Sequence, residues 1–125
     1  MNYYLAIGLG GAVGAMSRYW LSTLVETFNG TRFPLGTFAV NLIGSILIGV
    51  SFVILTEKIH LAEQWRPLIM IGFLGAFTTF SAFSLEALLL MQQGHHRVAL
   101  GYLITSVMAC VLGAWSGMQF TRSLM

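Results

Sequence analysis

Four apolar runs leave this chain few ways to fold. They cover residues 3–24, 35–55, 68–91 and 98–120, and only short polar connections separate them. A membrane-crossing helix needs about 20 mostly apolar residues. A segment in lipid must satisfy its own backbone, which restricts spans to helices and closed barrels. Runs of this length therefore predict an all-α membrane protein with four transmembrane helices. Composition agrees: 57% of the 125 residues are hydrophobic and 8% are charged, against about 25% charged in ordinary soluble domains. No stretch remains for a second domain, so residues 1–125 read as one four-helix unit.

The third run is the anomalous one. Its centre reads Gly72-Phe73-Leu74-Gly75-Ala76-Phe77-Thr78-Thr79-Phe80-Ser81-Ala82-Phe83-Ser84-Leu85-Glu86. Glycines, hydroxyls and a carboxylate at membrane depth are tolerated only where they face protein or a watery path. The pattern predicts a break in the third helix within the tract 75–79. A break frees backbone carbonyls, which bind cations, and exposes half-helix N-termini, which face anions. Phe80 and Phe83 are three apart and share a face, which Glu86 continues one turn later. Glu86 is the one carboxylate well inside a run, so it is either functional or a structural hydrogen-bond partner.

The other runs read as a frame with polar insertions. Gly10, Gly11, Gly14 and Ala15 put small residues four apart in the first run, a spacing that lets helices approach closely. Arg18 lies on that face, either snorkelling to the interface or lining a polar vestibule. In the second run Asn41 sits about 9 Å in from Leu35 at 1.5 Å per residue. An amide at that depth needs partners, by default across helices, and Thr37 one turn earlier shares its face. In the fourth run Tyr102 is either interfacial or part of a polar stripe with Thr105 and Ser106. His60 alone makes no metal site.

Charge is sparse. Lys58, Arg66 and Arg122 fall on one side of a four-span arrangement; Arg18, Arg32 and Arg97 fall on the other. Orientation follows the Lys/Arg bias between loops, and three against three is no bias. Either the count is too small to speak, or the protein inserts both ways up. A net charge of +2 carried by so few groups does not imply nucleic acid. The chain holds no Asp, one Cys and no phosphate loop, so enzyme activity has no support.

Three motifs resemble the CrcB/Fluc family of fluoride channels: Gly10-Gly11-Ala12-Val13-Gly14-Ala15-Met16-Ser17-Arg18-Tyr19; Pro34-Leu35-Gly36-Thr37 with Val40-Asn41-Leu42-Ile43-Gly44; and the Gly72 to Glu86 tract. The resemblance spans nearly the whole chain. It implies a dual-topology antiparallel homodimer in the inner (plasma) membrane, two fluoride pores, and a structural sodium ion at the dimer interface. It further implies backbone carbonyls of Gly75 and Thr78 as sodium ligands. Asn41, Phe80, Ser81, Phe83 and Tyr102 would line the fluoride pathway. Arg18, Thr37, Ser84 and Glu86 would be vestibule or polar support. The implied function is passive export of fluoride, which lowers its cytoplasmic level. Ala82 stands where the family often has Thr, and Cys110 and Ala114 stand where hydroxyls are expected; none is given an anion role. The rival reading is a small dual-topology, proton-coupled exporter of cationic compounds, which would need a deep acid; only Glu86 qualifies.

Overall fold

The computed structural model describes residues 2–125 and, within them, all side chains but those of residues 60–62, so the His60 side chain lies outside the described ones. Helix α1 is Tyr3–Thr27, with the Asn2 side chain accepting from the Tyr4 and Leu5 amides at its start. Helix α2 is Leu35–Phe52 and widens into a π-type turn over Val53–Lys58. A short 3₁₀ segment, His60–Trp65, leads to α3, which is π-type over Pro67–Leu74 and closes with the turn Gly75–Phe77. Helix α4 is Phe80–Gln92, and α5 is His96–Leu124. Among the described residues there is no strand.

The predicted break is real and local. Thr78 (φ −87°, ψ 157°) and Thr79 (φ −148°, ψ 119°) are extended between α3 and α4. Two β-branched residues with hydroxyls that compete for backbone partners stand here in sequence. Thr78 donates both its N–H (3.1 Å) and its hydroxyl (3.0 Å) to the Leu74 carbonyl. Thr79 then caps α4, its hydroxyl accepting from the Ala82 amide at 3.2 Å. The α4–α5 turn is closed by Gly94, whose φ of 84° suits a residue without Cβ. The Gly94 amide bonds the Met91 carbonyl and the His95 amide bonds the Leu90 carbonyl, satisfying the last carbonyls of α4.

Packing follows the glycines. α1 lies against α3, and α2 against α5. A Cβ on Gly14 would run into the Phe73 backbone, and one on Gly72 would meet the Ile7 carbonyl and the Gly10 backbone. The small-residue stripe of α1 thus brings two helix backbones into contact. The buried core is small: Phe83, Ala87, Leu90, Ala99 and Tyr102 join α4 to α5. Large apolar residues such as Leu9, Val13, Ile104 and Val111 are exposed, as on a protein solvated by lipid.

Among the described residues three stretches are long and apolar enough to cross a membrane: Leu35–Lys58, Glu63–Gln92 and His96–Leu124. The fourth expected span, 3–24, folds as a helix of 25 residues, about 38 Å long. Its glycines, Ser17, Arg18, Ser22 and Thr23 dilute its hydropathy. Length alone therefore qualifies it.

Candidate functional site

The break is held from the side. The Asn41 amide on α2 donates to the Thr79 carbonyl at 3.0 Å and accepts from the Thr79 N–H at 2.7 Å. Both backbone groups of the broken residue thereby find partners, as buried peptide groups require. The default reading of Asn41, an interhelical bond, is what the structure contains, but its partner is main chain. Gly44, one turn later, leaves room for the break: a Cβ there would strike the Thr78 methyl.

Arg18 reaches the same place from α1. Its Nε donates to the Ala76 carbonyl at 2.9 Å, at the C-terminal end of α3, where a cation also complements the helix dipole. The side chain is half-buried, so it does not simply snorkel. Among the described residues no hydrogen bond reaches the carbonyls of Gly75 or Thr78. Gly75 is exposed on the chain. These are uncommitted hard oxygen donors of the kind an alkali cation takes.

Against the break lies a cavity of about 350 Å³. Asn41, Thr78, Thr79, Phe80, Phe83 and Ser106 are among its walls. The Phe80 and Phe83 rings are 5.5 Å apart and tilted by 51°. Phe83 is buried, whereas Phe80 is 77% exposed. Phe83 meets Tyr102 at 5.1 Å edge to face, and Tyr102 meets Phe33 at 5.2 Å in the same manner. The line of rings ends on Phe38, 5.5 Å from Phe33.

Behind Phe83 stands a hydrogen-bonded triad. Glu86 Oε1 accepts from the Thr37 hydroxyl at 2.7 Å, and Oε2 accepts from the Tyr102 hydroxyl at 2.8 Å. Thr37 and Glu86 line a second cavity with Tyr19, Glu26, Arg32 and Phe33. Phe83, Tyr102 and the triad thus stand between two hollows.

One expectation needs correction. Tyr102 is fully buried within the chain, with its hydroxyl on Glu86. Its stripe on α5 does not include Thr105, which is exposed; four-residue steps instead align Tyr102, Ser106 and Cys110. Not every candidate joins the cavity. Ser81 is exposed and pairs with the Thr79 hydroxyl at 3.3 Å. Ser84 is exposed and donates to its own helix, at the Phe80 carbonyl. Phe33 and Phe38 were not legible as ring partners, because an aromatic beside a turn carries no periodic signal. Ser106 was visible only as part of a stripe.

The chain matches a family described as CrcB-like protein, Camphor Resistance (CrcB), over residues 5–118. It belongs to the CrcB family. Among its relatives is the fluoride-specific ion channel FluC of Hahella chejuensis, 48% identical over 95% of this chain and 94% of its own length. The protein of the same name from Magnetococcus marinus is 48% identical over 93% of this chain and 94% of its own. That of Coxiella burnetii (strain CbuK_Q154) is 43% identical over 96% and 98%. With its three apolar crossing stretches, this CrcB-family chain is a multi-pass membrane protein.

Proposed function

We propose that this chain is a fluoride-selective channel that lets fluoride leave the cell passively, and that it is not an enzyme. The observation that carries the reading is the cavity at the break, where Asn41, Ser106, Phe80 and Phe83 converge, in a chain whose relatives are named fluoride-specific ion channels. An aromatic ring has a positive edge. Phe80 and Phe83, with rings 5.5 Å apart in the cavity wall, would offer such edges, and hydroxyl hydrogens would donate to a small anion. A series of weak donors replaces hydration in steps without trapping the ion. Past Phe83, the Tyr102 and Thr37 hydroxyls lie on the route to the second cavity, where Glu86 holds both as acceptor.

The working unit in this reading is an antiparallel homodimer, one copy inserted each way, with α1 as the fourth crossing. The even Lys/Arg distribution supports it. So does Phe80, a ring left 77% exposed at the mouth of a cavity. The carbonyls of Gly75 and Thr78 would hold the structural sodium ion, two from each copy about a two-fold axis. Bound there, sodium supplies positive charge at the dimer interface.

The proton-coupled exporter has less support. It needs a deep acid free to exchange its proton, and both Glu86 oxygens are engaged by hydroxyl donors. The experiment is ion efflux from liposomes holding the purified protein and a potassium ionophore. Fluoride loss without chloride loss is the expected result. Retention of fluoride by a well-folded dimer overturns the channel reading.

A further inference from the structure

Cys110 is the chain's only cysteine, and it is half-buried in the wall of the 350 Å³ cavity. One turn earlier on the same face of α5 is Ser106, also in that wall and 5% exposed. Among the described residues the Ser106 oxygen has no hydrogen-bond partner. A buried hydroxyl with nothing to bond is costly unless something in the cavity meets it. The two side chains are four residues apart on a helix, which puts their Cβ atoms about 5–6 Å from each other. A large cation bridges such a gap.

We propose that Cys110 is a binding site for a soft, thiophilic cation, with Ser106 as the secondary oxygen donor, and that occupancy plugs the cavity. The chemistry selects the class. A thiolate is a soft ligand and favours soft metals over the hard cations that suit carbonyl oxygens. The site therefore differs in kind from the Gly75 and Thr78 carbonyls. With mercuric chloride the S–H bond breaks, an S–Hg bond forms, one chloride leaves and the proton passes to solvent. Nothing is oxidised or reduced. The dichloride is neutral, so lipid does not bar it. That occupancy stops fluoride rests on the channel reading; metal uptake does not.

Two readouts separate these. Full-length protein in liposomes is treated with mercuric chloride, and fluoride efflux and intact mass are followed together. The expected result is one mercury per chain, efflux reduced to the leak of protein-free vesicles, and recovery of both on adding dithiothreitol. Cys110→Ser gains no mercury, and its own efflux, whatever its size, does not respond. Ser106→Ala loses mercury to a competing thiol sooner than the wild type does. Mercury on Cys110 with undiminished efflux removes the plug. No uptake by the folded protein removes the site. Equal inhibition of Cys110→Ser places the effect elsewhere. If untreated protein passes no fluoride, the channel reading fails, and the mass measurement still decides the metal site.

Discussion

Glu86 accepts a hydroxyl at each oxygen, from Thr37 on α2 and Tyr102 on α5. Removing either donor leaves an acceptor unpartnered in a low-dielectric interior. Tyr102→Phe should lower stability by about 1–2 kcal/mol, within the range for interhelical bonds in membranes, as read by unfolding in detergent. Retention of full stability would mean that water replaces the phenol. The aromatic pair is tested differently. Phe80→Ile removes an exposed ring edge and little packing, so fluoride efflux should collapse while the chain stays folded and elutes as the parent does on size exclusion. Unchanged efflux would take Phe80 out of the proposed pathway. Phe83→Ile should act the same way on efflux, but it also empties part of the core, so its melting temperature must be measured beside it.

At the scale of elements, the α1–α3 contact is made by backbones, and this yields a contrast within one helix. Gly14→Ala drives a methyl into the Phe73 backbone and should cost about 1–3 kcal/mol as overpacking. Gly8→Ala meets nothing within 4 Å and should stay within about 0.5 kcal/mol of the parent. Thermal unfolding of the two variants checks it; equal melting points would refute the close approach. These elements were legible in the sequence because hydropathy and small-residue spacing are local. The break was legible too, since glycines and hydroxyls crowd the centre of the third run, where an unbroken lipid-facing helix would not carry them. What escaped was pairing across helices. Glu86, Thr37 and Tyr102 each read as a polar residue in need of a partner, yet nothing in the chain order says that positions 37, 86 and 102 meet. Asn41 escaped for another reason: its partner is a peptide group, and peptide groups carry no letter. Ser81 and Ser84 sit in the same motif as Phe83, and a motif does not say which way each side chain turns.

For the whole molecule, the balance of basic residues carries the proposed mixed insertion. Adding Lys residues to one set of loops should force a single orientation and abolish fluoride efflux. Co-expressing two variants biased in opposite senses should restore it. Activity from a variant locked in one orientation, shown by accessibility of loop tags, would rule out the antiparallel dimer.

The grip of Asn41 on Thr79 reaches further than the residue it holds. In an unbroken helix the Thr79 N–H would point back at the Gly75 carbonyl, four residues earlier. Asn41 intercepts that proton at 2.7 Å, and the Gly75 oxygen is left without its customary suitor. A side chain on the second helix thus bears on whether an oxygen on the third is open to the proposed sodium ion. Asn41→Ala should let the third helix heal and retire that oxygen. The variant should then show fluoride efflux, or dimer stability where efflux is lost, that no longer responds to sodium. A response as strong as the parent's would show that the oxygen stays open without its guardian.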